Sequence, residues 1–153
     1  MTMVTIRTAD REDVPALVRM LADDELGRQR EDASDPLPES YYDAFRAIDV
    51  DPNNEILVAC LDGRIVASLQ LTYTPSLSYR GSWRATVESV RTTAELRGQG
   101  IGSALMHAAI ARARARGCGL VQLTTNKVRD DARRFYERLG FAATHEGMKL
   151  PLS

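Results

Sequence analysis

The sequence has 153 residues, of which 44% are hydrophobic and 27% charged, and its formal net charge at pH 7 is −1. This length and composition predict one globular domain over residues 1–153 and exclude a disordered chain. The near-neutral charge argues against a nucleic-acid partner, and because no apolar run approaches the roughly 18 residues that span a bilayer, we expect no membrane partner and a cytoplasmic location.

The cysteines and histidines are too few and too scattered to predict a metal site. Cys60 and Cys118 lie in separate apolar segments, where a thiol usually serves as a small core residue. The histidines are His107 and His145, and the carboxylates of the chain are not grouped with them at ligand spacing. We therefore expect no bound metal.

The first third of the chain predicts a strand and two helices. Residues 4–9 alternate like a strand, and Asp10 with Asp13 three residues later resembles a capping box that opens a helix. The polar stretch 23–40 contains prolines and predicts a loop with at most a helical turn. Residues 41–49 then predict a second amphipathic helix.

Three strands are predicted next. Residues 55–61 and 64–74 are rich in strand-forming side chains, and they flank Asp62-Gly63, a dipeptide typical of a type I′ hairpin turn. A third strand is predicted over residues 83–93.

The second half of the chain alternates helices and strands. A helix is predicted from the glycine-rich stretch to about Arg116, a strand over residues 120–125, and a helix over "DDARRFYERLGF". Residues 141–152 predict a final strand, bent at Gly147. Meandering strands followed by a β-α-β unit indicate an α/β or α+β fold with a mixed sheet.

The stretch "LRGQGIGSA", residues 96–104, brings alternating glycines to the point where a helix begins. The first N–H groups of a helix have no partner within it, and the helix dipole adds partial positive charge there. Gly98, Gly100 and Gly102 lack Cβ atoms, so a phosphate can approach these amides, and Arg97 adds a permanent cation. The stretch therefore predicts a pyrophosphate site.

Two other phosphate-binding motifs fit this stretch less well. A P-loop needs a lysine before the hydroxyl residue, whereas Ser103 follows Gly102. A dinucleotide fingerprint needs G-x-G-x-x-G spacing and an acidic residue on the following strand, whereas this stretch reads G-x-G-x-G. A glycine-rich helix start without any ligand also stays open.

Residues 87–141 resemble the GCN5-related N-acetyltransferase (GNAT) family through two motifs with a helix and a strand between them. The first motif, Q/R-x-x-G-x-G/A, is matched by Arg97, Gly100 and Gly102. The second motif is matched by Ala132, Phe135, Tyr136, Leu139, Gly140 and Phe141. The resemblance implies a mixed, mostly antiparallel central sheet flanked by helices, with a splay between two central strands.

The resemblance also implies acetyl-CoA as cosubstrate and no metal. The pyrophosphate would bind beside Arg97, and the pantetheine arm would lie in the splay along the backbone of Val90 and Thr92, with the Val90 N–H on the thioester carbonyl. Asn126 and Arg133 would also contact the coenzyme. The loop amides that would hold the pyrophosphate are those of Gly98, Gln99, Gly100, Ile101, Gly102 and Ser103.

Acyl transfer to an amine needs a base, because a primary amine with a pKa near 10.4 is mostly protonated at neutral pH. Glu88 is the candidate, since burial between Val87 and Val90 in the strand before the glycine loop would strengthen it as a base. A strand-edge glutamate paired with Arg91 is the other interpretation. Tyr136 matches the general acid of the family, which protonates the leaving thiolate, and it also fits a core aromatic residue.

The acceptor is expected to be a small-molecule amine, and a peptide amine stays open. Its site would lie between residues 23–43 and nearby strands. Acidic residues in that segment would attract a cationic acceptor, Arg28 and Arg30 would pair an acidic group on it, and a solvated surface explains the same residues. The strand residues expected at the acceptor are Gln70, Tyr73 and Trp83.

Two further classes of function stay open. A non-catalytic acyl-CoA-binding regulatory module would keep Arg97 and the glycines without needing Glu88 and Tyr136. A dinucleotide oxidoreductase is disfavoured by the glycine spacing. Because many relatives in this family form dimers, a homodimer is a further expectation.

Overall fold

The structure is a computed structural model that describes residues 3–153. Within this range the strands are β1 (Thr5–Thr8), β2 (Asn54–Leu61), β3 (Arg64–Thr74), β4 (Trp83–Thr92) and β5 (Cys118–Leu123). They form one sheet in the order β1-β2-β3-β4-β5. The first four strands are antiparallel to their neighbours, and β5 runs parallel to β4. The expected mixed, mostly antiparallel sheet is confirmed.

Helices cover both faces of this sheet. The helical segments are α1 (Val14–Leu21), α2 (Glu25–Arg30), α3 (Glu39–Val50), α4 (Ser78–Gly81), α5 (Ile101–Ala115) and α6 (Asp130–Arg138). α1 and α3 pack on one face, and α5 and α6 pack on the other. α4 is a single left-handed turn, because Tyr79 and Arg80 have φ values of +53° and +60°.

The larger core lies between the sheet and α5. Leu57, Leu69 and Leu71 are at most 1% exposed, and they pack with Leu105 and Met106 of α5, which are fully buried. Burial of this apolar face holds the start of α5 against the sheet, and the glycine-rich stretch immediately precedes it. The buried residues on α5 are Ile101, Leu105, Met106, Ala109 and Ala113.

The predicted turn and cap are both present. Asp62 and Gly63 have positive φ values, 52° and 75°, as a type I′ turn requires. The Asp13 carboxylate accepts a hydrogen bond from the Asp10 backbone N–H at 2.7 Å, so the acidic cap at the start of the first helical segment is confirmed.

The segment 23–40 is more helical than predicted. α2 covers six residues, and the Asp24 carboxylate caps it by accepting the Gly27 N–H at 2.6 Å. α3 begins at Glu39, two positions before the predicted start. The remaining residues of the segment join these helices, so the loop is shorter than expected.

The predicted final strand is wrong, because residues 141–153 form no strand. Met148, Leu150 and Leu152 alternate as strand residues do, yet they are 91%, 83% and 94% exposed. Alternating residues form a strand only where a neighbouring strand pairs with them and an apolar face covers them, and this segment pairs with no strand of residues 3–153.

Candidate active site

A β-bulge divides β4 into two parts. Gln70 of β3 pairs with Glu88 and Ser68 pairs with Arg91, so two residues of β4 face a single residue of β3. Ser89 at the bulge has a φ of +56°, an uncommon backbone conformation for a residue other than glycine. Because a bulge bends its strand and increases the local twist, the second part of β4 diverges from the first.

β4 and β5 separate just before this bulge. Their last pair is Val87 with Leu123, and from Glu88 onward β4 has no partner on the β5 side. The Thr93 N–H donates to the Val66 carbonyl of β3 at 2.9 Å. Since successive residues of a strand point their N–H groups to opposite sides, the amides of Val90 and Thr92 face the open side. The predicted splay is therefore present.

The glycine-rich stretch turns from this open edge into α5. Gly98 and Gly100 have φ values of +81° and +83°, the left-handed region that favours glycine. Gly102 serves packing, since a Cβ there would lie 3.3 Å from Thr92 Oγ1 and 3.6 Å from Phe135 Cζ. The missing Cβ atoms thus permit the turn at two positions and bring α5 close to β4 and α6 at the third.

The amides of this stretch are available to a ligand. In the part of the chain that the structure describes, none of the amides from Gly98 to Ser103 donates to a loop carbonyl or a side chain. Ile101 is 3% exposed, so its side chain belongs to the core, and Gln99 is exposed. The exposed Arg97 donates from Nε to the Thr92 carbonyl at 3.3 Å. Free amides, a helix N-terminus and a guanidinium are groups that suit an anion.

Tyr136 lies on α6 near this edge. Its ring is partly buried and packs edge-on against Phe135, with 5.1 Å between ring centroids, and against Phe141, with 6.0 Å. Its hydroxyl makes no hydrogen bond among residues 3–153. Burial raises the pKa of Tyr136, while the positive charges of Arg91 and Arg129 oppose the rise. The hydroxyl therefore stays protonated at neutral pH and has a proton to donate.

Glu88 is exposed, so its expected burial is wrong. Its neighbour Val87 takes the inward position on β4 and is 1% exposed. The alternative ion pair with Arg91 is also wrong, because no carboxylate in residues 3–153 lies within 4.0 Å of that guanidinium. Glu88 stands instead opposite Gln70, on a surface that solvent and an acceptor can both reach.

Only one of the three strand residues expected at the acceptor lies near Glu88. Gln70 pairs with it across the strands, and its Nε2 donates to Asn54 Oδ1 at 3.2 Å. Trp83 begins β4, which is 10 residues long, so it lies roughly 30 Å from Thr92. That distance does not suit the predicted acceptor contact for Trp83.

Tyr73 also does not suit an acceptor contact, because it is only 2% exposed. Its hydroxyl donates to Glu55 Oε2 at 2.9 Å, and Glu55 is ion-paired with Arg112. The Arg116 guanidinium carbon lies 4.0 Å from the centre of the Tyr73 ring. Burial raises the pKa of Tyr73, with a further contribution from the Glu55 carboxylate. We assign Tyr73 to the core.

Tyr73→Phe is expected to lower the free energy of unfolding by about 1 kcal/mol, the usual value of one hydrogen bond, and to leave acetyl transfer unchanged. Urea unfolding and steady-state kinetics on the same preparation measure the two effects. A raised KM for the acceptor with unchanged stability would show instead that Tyr73 contacts the acceptor.

Asn126 and Arg133 lie on the loop and helix that follow β5. Asn126 is exposed, and its side-chain oxygen accepts the Val128 N–H at 3.1 Å, which shapes the loop. Arg133 is exposed, with its Nε 3.4 Å from Glu137 of the same helix. Phe135, two residues on, approaches Gly102, so this part of α6 is beside the glycine loop.

Sequence reasoning did not identify a charged cluster near Tyr136. Arg129 Nη1 lies 2.7 Å from Asp24 Oδ2, and Asp24 also caps α2. Burial alone would raise the pKa of Asp24, but the Gly27 amide and the charges of Arg129 and Arg91 outweigh it, so the pKa lies below its ordinary value. No sequence pattern indicates this cluster, because its members come from three distant segments.

Residues 3–153 contain neither a candidate metal cluster nor a membrane-spanning helix. They contain no group of three or more His, Cys, Asp or Glu side chains arranged to hold a metal ion. No helix in the same range is long and apolar enough to cross a membrane.

Comparison with known proteins shows that the chain is similar to acetyltransferases. The profile of the acetyltransferase (GNAT) family matches residues 19–141. The chain is 33% identical to the aminoalkylphosphonate N-acetyltransferase of Salmonella typhimurium over 138 residues, which cover 90% of this chain and 82% of that protein. It is 34% identical to the glucosamine 6-phosphate N-acetyltransferase of Trypanosoma brucei brucei over 90 residues, 59% of each.

A solved structure is similar over nearly the whole length. It is a crystal structure of a protein from Bacillus halodurans C-125 that is described as a transcriptional regulator. The TM-score is 0.96 at 58% sequence identity, with 98% of this chain and 100% of that chain covered. The family match over residues 19–141 includes the splay, the glycine loop and Tyr136.

Proposed function

Because the chain belongs to the GNAT acetyltransferase family, we propose that it acts as one domain that moves the acetyl group of acetyl-CoA directly to a primary amine of a small molecule. Members of this family are acetyl-CoA-dependent N-acetyltransferases that act on amines. Both substrates would be bound together, with no acetylated protein intermediate. The observation that carries this proposal is the open edge of β4, with free amides at one end and the Tyr136 hydroxyl nearby.

The glycine loop would bind the pyrophosphate of the coenzyme. Its amides from Gly98 to Ser103 lack partners in the described chain, and Arg97 stands beside them. The pantetheine arm would add along the open edge as an extra strand does, using the backbone of Val90 and Thr92. Asn126 and Arg133 are proposed as further contacts, because α6 lies beside the loop.

The chain's own groups would move the protons of the reaction. Glu88 would accept a proton from the ammonium form of the acceptor through water, since its carboxylate is exposed. The neutral amine nitrogen would then bond to the acetyl carbon and lose one further proton to water as the carbon–sulfur bond breaks. The Val90 N–H would stabilise the negative charge that develops on the carbonyl oxygen, and Tyr136 would donate its proton to the departing sulfur.

Similar proteins support a small-molecule acceptor. The Salmonella and Trypanosoma relatives are named for an aminoalkylphosphonate and for glucosamine 6-phosphate, both of which are small amines. We propose that Gln70 contacts the acceptor, because it pairs with Glu88 across the sheet. A peptide amine remains the alternative acceptor.

A second candidate is a coenzyme-binding regulator without catalysis. The Bacillus halodurans protein described as a transcriptional regulator favours it. A net charge of −1 gives no general attraction to nucleic acid, and a regulator has no need of the protonated Tyr136 hydroxyl at the splay. Turnover therefore separates the two candidates.

The proposal is tested first by calorimetric titration with acetyl-CoA, using NADH and ATP as controls. We expect acetyl-CoA alone to bind, with a micromolar Kd. Release of the free CoA thiol is then measured with a panel of small amines and a lysine peptide. Binding without release for any amine would favour the regulator, and binding of NADH alone would overturn the assignment of the glycine loop.

Glu88→Gln is expected to lower kcat/KM about 10-fold at neutral pH, less than the loss of a base in direct contact, because Glu88 would act through water. The difference should shrink as the pH approaches the amine pKa, where free base is abundant. Glu39→Gln, at an exposed position on α3, is the matched control and should match the wild-type profile. A pH-independent defect would show that Glu88 binds the acceptor without acting as a base.

We also propose a homodimer and a cytoplasmic location. β5 pairs only with β4 in the described range, and the apolar side chains of Met148, Leu150 and Leu152 are exposed. A second copy would cover them, and sedimentation velocity at micromolar concentration tests this.

The cysteines support the proposed cytoplasmic location. Cys60 and Cys118 are free thiols, which suits a reducing compartment.

A further inference from the structure

Arg91 is a half-buried cation with no carboxylate of residues 3–153 within 4.0 Å. Its Nε is buried and has no hydrogen-bond partner among residues 3–153. Its Nη1 donates to the Val90 carbonyl at 2.9 Å. Burial lowers the pKa of Arg91, and the positive charges of Arg129 and Arg30 lower it further, while Asp24 opposes them. An anion brought to this guanidinium would satisfy its free donor and relieve the repulsion.

The carboxylates of the cluster are already engaged. Asp24 accepts the Gly27 N–H at 2.6 Å and pairs with Arg129 at 2.7 Å. Glu31 lies 3.9 Å from the Arg30 Nε and accepts the Tyr41 hydroxyl at 2.9 Å. Arg129 and Arg30 are thus each paired with a carboxylate, whereas Arg91 is not, and its positive charge remains for a ligand.

The cluster is separate from the loop assigned to the coenzyme. Thr92 faces α5, because its Oγ1 lies 3.3 Å from the Cβ position of Gly102. Alternate residues of a strand point to opposite faces, so Arg91 faces the other side of the sheet, where Asp24 and Arg30 belong to the α1–α2 region. The cluster is therefore on the acceptor side of β4.

We propose that Arg91, Arg129 and Arg30 bind a phosphonate or phosphate group carried by the acceptor amine. The inference rests on the proposed function. Several guanidinium groups suit a tetrahedral anion, which offers several oxygens as hydrogen-bond acceptors. A planar carboxylate, in contrast, is fully paired by a single guanidinium group.

The same geometry limits the length of the acceptor. Arg91 contacts the carbonyl of Val90, the residue whose N–H is assigned to the acetyl group. An amine that attacks that acetyl group while its anion contacts Arg91 would carry the two groups close together. The substrate class is therefore a short aminoalkyl phosphonate or phosphate.

The first test compares acceptors of similar size. Aminomethylphosphonate, glycine and ethylamine present a phosphonate, a carboxylate and no anion beside a primary amine. We expect kcat/KM to be highest for aminomethylphosphonate, by roughly 10- to 100-fold over ethylamine. Equal values for the three would overturn the proposal, and a preference for glycine would overturn the phosphonate assignment.

The second test uses variants of the cluster. Arg91→Gln should raise the KM for aminomethylphosphonate roughly 10- to 100-fold without changing the KM for ethylamine, and Arg91→Lys should recover part of the loss. Arg46→Gln removes an exposed arginine on α3 whose ion-pair partner is Asp43 of the same helix, and it should behave as wild type. Circular dichroism checks that each variant is folded.

Direct binding separates this proposal from the proposed function. Calorimetry measures acetyl-CoA and, separately, methylphosphonate on the wild-type chain and on Arg91→Gln. We expect the variant to lose methylphosphonate and keep acetyl-CoA. A matching loss of acetyl-CoA would mean that the arginines hold a coenzyme phosphate, which overturns the proposal. Methylphosphonate binding in a chain that does not bind acetyl-CoA would sustain the anion site and refute the acetyltransferase mechanism.

Discussion

Gly100→Leu is expected to bind acetyl-CoA at least about 100-fold more weakly than the wild-type chain, a loss of about 2.8 kcal/mol. Gly100 precedes the first residue of α5, and nothing lies within 4 Å of the position that its Cβ would take. The free chain therefore accommodates the new side chain sterically. The side chain would enter the space in front of the free amides, where the pyrophosphate is proposed to bind.

A matched variant separates this effect from backbone strain. Gly117, just beyond the other end of α5, has a φ of +79° and the same open surroundings. Leucine in a left-handed conformation costs roughly 1–2 kcal/mol at either position, so both variants should lose similar stability in urea unfolding. Calorimetric titration should then show wild-type affinity for Gly117→Leu. Equal affinity in the two variants would remove the glycine loop from the coenzyme site.

Tyr136→Phe is expected to lower kcat by about 10²-fold, the lower end of the usual contribution of a general acid. The ring keeps its packing against Phe135 and Phe141, so the Kd for acetyl-CoA and the stability should hold. Only the hydroxyl that would protonate the departing sulfur is lost. Single-turnover kinetics with excess enzyme measure the chemical step directly.

The pH dependence gives an independent check on this role. Burial raises the pKa of Tyr136, so the acid stays protonated to higher pH than a free tyrosine, whose pKa is near 10. Wild-type kcat should therefore decline only above that value, and this decline should be absent in Tyr136→Phe. Tyr79→Phe, at an exposed tyrosine in the turn before β4, is the matched control. A kcat within twofold of wild type would make Tyr136 a packing residue.

The sequence predicted most elements that depend on local patterns. The hairpin at Asp62-Gly63 follows from the positive φ values that these residues tolerate, and α5 and α6 follow from apolar residues at helical spacing. The alternating Met148, Leu150 and Leu152 show the limit of local patterns, because a strand also needs a partner strand and these residues have none in the described part of the chain.

In the candidate site, too, some residues could be predicted from local patterns and others only from tertiary packing. Gly98 and Gly100 were recognisable, because their spacing at a helix start has a direct physical meaning. Tyr73 follows Leu69 and Leu71 at alternate positions of β3, so its pattern already favours the core face, but only the structure shows that Arg116 and Glu55 cover it. A residue's pattern along one strand does not specify which neighbours will cover it.

By itself, the sequence determined where most of the strands and helices lie, and that a helix begins at a glycine turn whose amides suit an anion. These features depend on the backbone preferences of residues that are neighbours in the sequence. Only the tertiary structure decided that β4 bulges at Ser89, that β5 separates from β4 after Val87, and that Arg129 pairs with Asp24. Strand register and the approach of distant segments arise from the packing of the whole chain, and no local pattern encodes them.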